Sequence, residues 1–370
     1  MIYFDNAATS RYMPYEVMNA YVKECSRKSN AGRGGHSESV RAGLIVYKAR
    51  ERINRFFGNE KGECIFTKNC TEALNLALLG IKLRGHILTT ATEHNSVLRP
   101  LSALKERGVE VSYVTPDREG RVTLERIKPY IRSDTYMIAL NARSNVTGEK
   151  SEYERIFAYA TEKGIITLLD GAQEAGHGRI NMNHSNVDLL ALAGHKGLYG
   201  VQGIGCLLFR RGLKISPILY GGTGSLSVEI VQPEDYPEGL EAGTQNVAGI
   251  AALKAAVDWT DERLEEIAEN NLRLTASLID GLRSIDGLRI YSSSNAAGIV
   301  SFIKEGFDSE RIADHLNEYG VAVRGGLHCA PLIHRHLGTL STGLVRVSFG
   351  YGNTLKEVKY TLNTLNELEN

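Results

Sequence analysis

The alternation of short apolar runs with amphipathic segments between about residues 60 and 210 constrains the fold more than any other feature of this sequence. Six apolar runs predict buried strands at 86–90, 109–114, 135–140, 164–170, 188–194 and 203–209. Amphipathic stretches in the same region predict helices at 71–80, 96–107, 123–131 and 151–163. Strands and helices that alternate in this way build a parallel or mostly parallel sheet covered by helices on both faces. The sequence therefore predicts an α/β fold.

The pattern changes in the last third of the 370 residues, a length that predicts two or three domains. A long helical pattern covers about 246–284, and apolar runs then alternate with predicted helices at 308–319 and 354–369. This region is typical of a smaller α+β domain. We predict an N-terminal arm over 1–12, a large domain over 13–255 and a small C-terminal domain over 256–370.

Composition argues against several classes of protein. The 43 basic residues balance the 43 acidic residues, so no net charge favours nucleic acid or an anionic membrane. No apolar run approaches the roughly 20 residues that span a bilayer, and no apolar signal segment follows Met1. Five widely spaced cysteines without a C-x-x-C do not suggest a disulfide framework. We expect a cytoplasmic protein that binds neither nucleic acid nor membrane.

Polar residues lie where four predicted strands end. They are Glu93 and His94, then Asn145, then Asp170, and finally His195 and Lys196. In an open α/β sheet, ligands bind beyond the carboxyl ends of the strands. Each residue alone has an ordinary interpretation as a capping or surface residue, but together they bring an amine, an imidazole, a carboxamide and carboxylates to one rim. This convergence predicts an active site.

Lys196 and Asp170 are suited to the chemistry of pyridoxal phosphate. Lys196 follows an apolar strand and lies among glycines in AGHKGLYGVQGIG, and desolvation would leave it the free amine that a Schiff base needs. A carboxylate such as Asp170 keeps the ring nitrogen of this cofactor protonated. The alternatives are a phosphate-binding or exposed lysine and an aspartate that caps a helix.

The segment Cys70-Thr71-Glu72 opens a predicted helix whose free backbone N–H groups favour an anion. Thr71 alone would be an ordinary helix cap. The sequence contains no G-x-x-x-x-G-K-[ST] and no strand–GxGxxG–helix unit, which disfavours nucleotide and dinucleotide binding.

Nine motifs occur in the order expected of the class V aminotransferase family, which this chain resembles. They are IYFDNAAT, FTKNCTEALNLAL, ATEHNSVLRPL, SNVTG, DGAQEAGH, GHKGLYGVQGIG, EAGTQNVAGI, RGGLHCAPLIH and RVSFGYGN. The set is similar to the cysteine desulfurase and selenocysteine lyase branch, which uses pyridoxal 5'-phosphate. The resemblance implies a fold-type I transferase with a mostly parallel mixed sheet in the large domain and a small α+β C-terminal domain.

The resemblance also implies which residues surround the cofactor ring. Lys196 would hold the cofactor covalently and later move protons on the substrate. His94 would stack over the ring and take part in acid–base steps. Asp170 would pair with the ring nitrogen, and Gln173 would hydrogen-bond the phenolate oxygen.

The same resemblance assigns the phosphate and the substrate carboxylate. The phosphate would be bound by Cys70, Thr71, His195 and Thr244, the last of these reaching the site of the other subunit. A homodimer is therefore the expected state. Asn145 and Arg346 would bind the carboxylate of the substrate, because the fork of Arg matches a carboxylate.

Cys329, in VRGGLHCAPLIH, decides the reaction type. The resemblance implies that its thiolate attacks the substrate sulfur, which converts L-cysteine to L-alanine and leaves a persulfide on Cys329. Arg324, a further predicted substrate-binding residue, and His328 flank the thiol and would stabilise the thiolate. Selenocysteine is a second candidate substrate, and a protein that accepts the sulfur is a candidate partner. The alternatives are a buried structural cysteine and a zinc site with His328, His334 and His336.

Three positions depart from the branch. Ala193 replaces a usual hydroxyl, which removes one phosphate hydrogen bond, and Ala142 and Arg143 lie where polar residues or histidine are commoner. Because of these departures, free L-cysteine need not be the preferred substrate. The alternative functions are a cystine or cysteine C–S lyase, a class V aminotransferase, and a silent scaffold. The intact catalytic set argues against the scaffold.

Overall fold

A computed structural model describes residues 1–27, 29–32, 34–82, 85–117, 119–224 and 228–368. The predicted end of the last helix at 369, and the last two residues of the predicted small domain, lie outside the described residues. Within these ranges, no helix is both long enough and apolar enough to cross a membrane.

The strands and helices follow one another along the chain as β1 (Ile2–Tyr3), α1 (Tyr15–Ser26), α2 (Ser37–Phe56), β2 (Glu63–Thr67), α3 (Cys70–Gly80), β3 (His86–Thr90), α4 (Asn95–Glu106), β4 (Glu110–Val114), α5 (Leu124–Ile127), β5 (Thr135–Asn141), α6 (Tyr153–Glu162), β6 (Ile166–Asp170), β7 (Leu189–Ala193), β8 (Gly205–Phe209), α7 (Val247–Leu282), β9 (Leu288–Ile290), β10 (Ile299–Lys304), α8 (Ser309–Glu318), β11 (Val321–Ala322), α9 (Pro331–Leu337), β12 (Val345–Ser348) and α10 (Leu355–Asn366). Short 3₁₀ turns occupy Lys128–Tyr130 and Glu238–Leu240.

The large sheet has seven strands in the order β2-β8-β7-β6-β5-β3-β4. Only β8 runs against its neighbours; it is antiparallel to both β2 and β7. Alternate residues of one strand enter different cores: Leu190 packs into one and Ala191 into the other. Helices therefore cover both faces, and the predicted mostly parallel mixed sheet is confirmed.

All six predicted strands are present with small shifts at their ends. The sequence patterns missed β2, because ECIFT is only five residues long and begins with a charge, and they also missed α1 and α2. The helix predicted over 123–131 is wrong in its extent. Pro129 has no N–H to donate to a carbonyl four residues earlier, so α5 ends at Ile127 and a 3₁₀ turn follows.

A smaller lobe is built on the antiparallel sheet β12-β10-β9 with its own apolar core. Helix α7 joins the two lobes: Leu253 packs into a core of the large sheet, and Leu278 packs into the core of the small lobe. Strand β1 of the N-terminal arm pairs in parallel with β11. From there the arm crosses to the large lobe, where the hydroxyl of Ser10 donates to the carbonyl of Lys196 at 2.6 Å.

Candidate active site

A cavity with about 540 Å³ of empty space lies beyond the carboxyl ends of the parallel strands. It is lined by Asn69, Cys70, Thr71, His94, Ser96, Asn141, Arg143, Asn145, Asp170, Ala172, Gln173, Ala193, His195 and Lys196. Eight of these were predicted as site residues from the sequence. The fold therefore brings them together, while their individual roles stay predictions.

Lys196 lies in the loop that follows β7 and lines this cavity. Its amine makes no hydrogen bond or ion pair with any residue that the structure describes. Burial lowers the pKa of Lys196, and the nearby carboxylate of Asp170 opposes that shift. The result is an amine that loses its proton more readily than an exposed lysine does, as the formation of a Schiff base requires.

Asp170 ends β6 and is buried. Its Oδ1 accepts the Ala172 N–H at 2.9 Å and the Cys70 thiol at 3.6 Å. Residues 171–176 form turns rather than a helix, so the alternative that Asp170 caps a helix is wrong. Burial raises the pKa of Asp170. A cationic partner would favour its ionised form, which is the environment that a protonated ring nitrogen supplies.

The start of α3 presents free backbone N–H groups to the cavity wall. Asn69 is the N-cap, and its side chain accepts the Glu72 N–H at 2.9 Å. The interpretation of Thr71 as the cap is therefore wrong. Cys70 and Thr71 occupy the first helical positions, where N–H groups have no partner within the helix and favour an anion. The packing here is close: a Cβ at Gly205 would lie 3.0 Å from the Cys70 nitrogen.

His94 and His195 are both neutral near pH 7. Burial, reinforced by the charge of Lys196, lowers the pKa of each to about 4. His94 is the N-cap of α4, and its Nδ1 accepts the Ser96 N–H at 3.1 Å. Its Nε2 is left without a hydrogen-bond partner among the described residues. Because Nδ1 accepts a hydrogen bond, the neutral ring carries its proton on Nε2, which can donate to a ligand while the imidazole stacks on a ring.

Gln173 offers an unsatisfied polar atom. Its Nε2 donates to the carbonyl of Ala7 at 3.0 Å, whereas its Oε1 is buried and has no partner in the described part of the chain. An unpaired buried acceptor is costly, so a ligand that donates a hydrogen bond here would stabilise the site.

The Cys329 loop, between β11 and α9, is tied to the large lobe by its backbone. Asn145 Nδ2 donates to the carbonyl of His328, and the Asn95 N–H donates to the carbonyl of Cys329, both at 2.7 Å. These bonds hold two residues with left-handed backbone, His328 at φ 49° and Cys329 at φ 58°. The Cys329 side chain is exposed, so the alternative of a buried structural cysteine is wrong.

His328 does not supply a positive charge to this thiol. It is buried, its Nε2 donates to the carbonyl of Leu344 at 3.0 Å, and burial lowers its pKa to about 2. The prediction that His328 stabilises the thiolate is therefore wrong as far as a positive charge on the imidazole is concerned. Across the described ranges, no three His, Cys, Asp or Glu residues cluster closely enough to hold a metal ion.

The sequence profile of the class V aminotransferases matches residues 2–361. The chain belongs to the class V aminotransferase family. Relatives from Methanothermobacter thermautotrophicus and Pyrococcus abyssi, each named a probable cysteine desulfurase, are both 33% identical to it. The alignments cover 99% and 100% of this chain and 94% of each relative.

A solved structure extends the likeness to three dimensions. The apo structure of a cysteine desulfurase from Thermococcus onnurineus NA1 matches with a TM-score of 0.91 at 32% identity. The match covers 99% of this chain and 94% of the solved one. The predicted family and fold-type I architecture are confirmed.

Arg346 lies in β12 and is buried. Its Nη2 pairs with Asp5 at 2.9 Å, and its Nη1 donates to the carbonyl of Asn145 at 3.0 Å. Arg324 pairs with Arg346 through backbone bonds alone. Sequence reasoning missed Asp5, although it stands inside IYFDNAAT. A substrate carboxylate would compete with Asp5 for Arg346, and the roles of both arginines stay predictions.

The positions of two further acidic residues, Glu93 and Glu174, were not predicted from the sequence. Glu93, expected at the rim, is buried beneath it and accepts hydrogen bonds from Thr90 at 2.5 Å and Asn141 at 3.1 Å. Burial raises the pKa of Glu93 to about 8, so it is no rim carboxylate. Glu174, which sequence reasoning missed, pairs with the buried Arg143 at 2.6 Å. This pair gives the unusual Arg143 a partner in the cavity wall.

Thr244, the last predicted phosphate ligand of this family member, is exposed and does not line the cavity. It borders a separate depression together with Cys25, Ser29 and Asn30 near the end of α1. That position agrees with a residue that serves another subunit, and the role stays a prediction.

Proposed function

We propose that this protein is a pyridoxal-phosphate-dependent cysteine desulfurase that converts L-cysteine to L-alanine and carries the sulfur as a persulfide on Cys329. One observation carries the proposal: an exposed thiol on a strained loop whose backbone is bonded to Asn145 and Asn95, beside the Lys196 cavity. The relatives that match nearly the whole chain are named cysteine desulfurases or probable ones, which supports the same reaction.

The residues of the cavity fit pyridoxal phosphate, the cofactor of this family. They offer a lysine of lowered pKa, a buried carboxylate that forms no ion pair with any described residue, and a helix start with free N–H groups. Lys196 would bind the cofactor, Asp170 would face its ring nitrogen, and Cys70 and Thr71 would hold its phosphate. When bound, the cofactor withdraws electrons from the substrate and so weakens bonds at the α-carbon.

The side chains of the protein then handle the protons. The amine of Lys196 can take a proton from the substrate α-carbon and return it, because burial lowers its pKa and makes the free amine easier to reach than in an exposed lysine. Asp170 would keep the ring nitrogen of the bound cofactor protonated. His94, neutral and with its proton on Nε2, is a hydrogen-bond donor in the same cavity as Lys196.

Cys329 performs the transfer of sulfur. Its thiolate attacks the substrate sulfur, so that a Cys329 Sγ–S bond forms and the substrate carbon–sulfur bond breaks. The electron pair of the broken bond goes to the substrate carbon, which is protonated to the methyl group of alanine. No external oxidant is required, since cysteine and the enzyme thiol become alanine and the enzyme persulfide.

We also propose that the protein is a cytoplasmic homodimer. Six of its exposed apolar side chains lie on the first two helices: Tyr15, Met18, Val22, Val40, Leu44 and Tyr47. A second copy seated on this surface would lie beside Thr244, which borders the end of α1. Sedimentation equilibrium tests this, because a monomer at micromolar concentration would contradict the proposal.

The function is tested by incubating the loaded enzyme with L-cysteine and with L-selenocysteine separately. Alanine formed together with sulfide or selenide supports a desulfurase, whereas pyruvate and ammonia indicate a C–S lyase. A requirement for a keto acid indicates an aminotransferase. Borohydride reduction followed by peptide mapping should place the cofactor adduct on Lys196, with Lys150→Ala as a control that keeps it.

A further inference from the structure

A groove with about 1160 Å³ of empty space runs between α4 and α9, outside the Lys196 cavity. It is lined by Ala91, Asn95, Leu98, Arg99, Ser102, Tyr113, Thr115, Pro331, Leu332, Arg335 and His336. None of these residues was assigned a role from the sequence, apart from His336 as a zinc candidate.

The groove adjoins the reactive thiol. Asn95, which lines it, donates its N–H to the carbonyl of Cys329 at 2.7 Å. Pro331 and Leu332, two and three residues beyond Cys329, form part of its other wall. The first turn of α4 therefore separates two sites, because His94 lines the cofactor cavity and Asn95 lines the groove. A molecule bound in the groove lies beside the exposed Cys329.

The charged residues that line the groove, Arg99 and Arg335, are both positive. Arg99 and Arg335 are exposed, and neither makes an ion pair with any described residue. None of the eleven lining residues is acidic. The whole chain has a formal net charge of zero, so this is a local excess of positive charge beside the thiol. Unpaired arginines at the edge of a groove favour an anionic partner.

The floor of the groove is apolar and elongated. Ala91 and Leu98 are buried in its base, and Leu332 forms the side contributed by α9. On α4 the lining residues recur with helical spacing, from Asn95 to Ser102, which spans about 10 Å along the helix axis. Such a stripe fits the apolar side chains of a peptide segment, whereas a small thiol would leave it unused.

We propose that the groove between α4 and α9 binds an acidic, amphipathic segment of a protein that accepts sulfur from Cys329. The inference rests on the proposed function. In the transfer, the acceptor thiolate attacks the outer sulfur of the Cys329 persulfide. A bond forms between the acceptor sulfur and the transferred sulfur, the Cys329 Sγ–S bond breaks, and its electron pair returns to Cys329 as thiolate. The exchange consumes no other reactant.

The test uses two synthetic peptides of about 16 residues, each with one cysteine and leucines at helical spacing. One carries glutamates on its polar face and the other carries lysines. The loaded holoenzyme is treated with L-cysteine, and sulfur on each peptide is followed by mass spectrometry. Fluorescence anisotropy of labelled, cysteine-free versions measures binding on its own. Dithiothreitol is the small acceptor that needs no groove.

We expect the acidic peptide to bind and to accept sulfur faster than the basic one. The double charge reversal R99E/R335E should lower both quantities for the acidic peptide by about tenfold or more. Ser102→Trp, which fills the groove without changing its charge, should also weaken binding. Alanine formation with dithiothreitol should be unchanged in both variants. The matched control is Arg211→Glu, an exposed arginine beyond β8 at the opposite edge of the sheet.

Equal binding of both peptides, or binding that the charge reversal leaves intact, would overturn the groove proposal. Failure of the proposed function looks different: no alanine and no persulfide would form even with dithiothreitol. Because the anisotropy measurement needs no sulfur chemistry, it tests whether the groove binds the acidic peptide in either case.

Discussion

The side chain of Asn145 donates a hydrogen bond of 2.7 Å from its Nδ2 to the backbone carbonyl of His328. The two residues belong to different lobes, and one of them precedes Cys329. A residue predicted to bind the substrate carboxylate therefore also holds the loop that carries the nucleophile. With the predicted role of Asn145, occupation of the site and placement of the thiol would be coupled through this one amide.

Replacing Asn145 with alanine should impair sulfur transfer more than cofactor binding. The change removes the bond to His328 and leaves two left-handed residues, His328 and Cys329, with less support. We expect about 1 kcal/mol of lost stability, the usual net worth of one hydrogen bond. Persulfide formation on Cys329, followed by mass spectrometry after addition of L-cysteine, should slow markedly.

The control for this change is Asn75→Ala, which removes an exposed amide that bonds only to the carbonyl of Thr71 within α3. Cofactor absorbance should be retained in both variants. Asn145→Ala protein that forms persulfide at the parent rate would show that the amide does not position the loop.

Asp170→Asn should keep the cofactor and lose most activity. The amide oxygen can still accept the Ala172 N–H, so the turn after β6 should survive. A neutral carboxamide cannot hold a proton at the ring nitrogen, and the loss of such an electrostatic contact typically costs on the order of 10² to 10³ in rate. Alanine production at matched cofactor occupancy is the measurement, and activity within a few-fold of the parent would refute the assignment.

Buried histidines should make the protein less stable in mild acid. Burial lowers the pKa of His177 to about 4, against an ordinary value near 6.5. Between these values the unfolded chain binds a proton that the folded protein does not. Stability is therefore fully present above about pH 6.5 and is lost as the pH falls toward 4, and His94, His195 and His334 act in the same direction.

Urea denaturation at pH 7.5 and pH 5 measures this effect. His177→Gln keeps a side-chain donor for the carbonyl of Gln173 and cannot be protonated. The loss of stability between the two pH values should be smaller in this variant. Replacing the exposed His184 with glutamine should leave the loss as it is in the parent. Equal losses in the His177 variant and the parent would contradict the prediction.

The sequence predicted the strands well because buried parallel strands are nearly continuous apolar runs, such as LLALA in β7. It predicted the cavity because polar residues at strand ends must meet at one edge of the sheet. Roles that depend on burial were not predictable in this way. Glu93 and His94 are neighbours in sequence, yet only His94 lines the cavity, whereas Glu93 is fully buried.

Contacts between residues that are far apart in the sequence could also not be predicted from local patterns. Asp5 and Arg346 are separated by 341 positions, and no spacing rule connects them. The bond from Asn95 to the Cys329 carbonyl depends on how the two lobes dock, a property of many weak contacts rather than of one motif. The pair Arg143–Glu174 could have been suspected, because a lone buried arginine requires an acidic partner.

Replacing Cys329 with serine should separate substrate binding from sulfur chemistry. The change leaves Lys196 and Asn145 in place, and the backbone carbonyl of residue 329 can still accept the Asn95 N–H. Spectral changes on adding L-cysteine should therefore survive. A serine hydroxyl is far less ionised than a thiol at neutral pH, so no persulfide should form and alanine release from L-cysteine should stop.

Two comparisons make the Cys329→Ser result decisive. Cleavage of L-selenocysteine should persist at least in part, because selenium is a better leaving group and needs less help from a protein nucleophile. Cys25→Ser, which replaces the other exposed cysteine, should behave as the parent does. Intact mass spectrometry of the parent after cysteine treatment should show one added sulfur, mapped to Cys329. Sulfur on another cysteine, or undiminished alanine release by Cys329→Ser, would overturn the desulfurase mechanism and favour a C–S lyase.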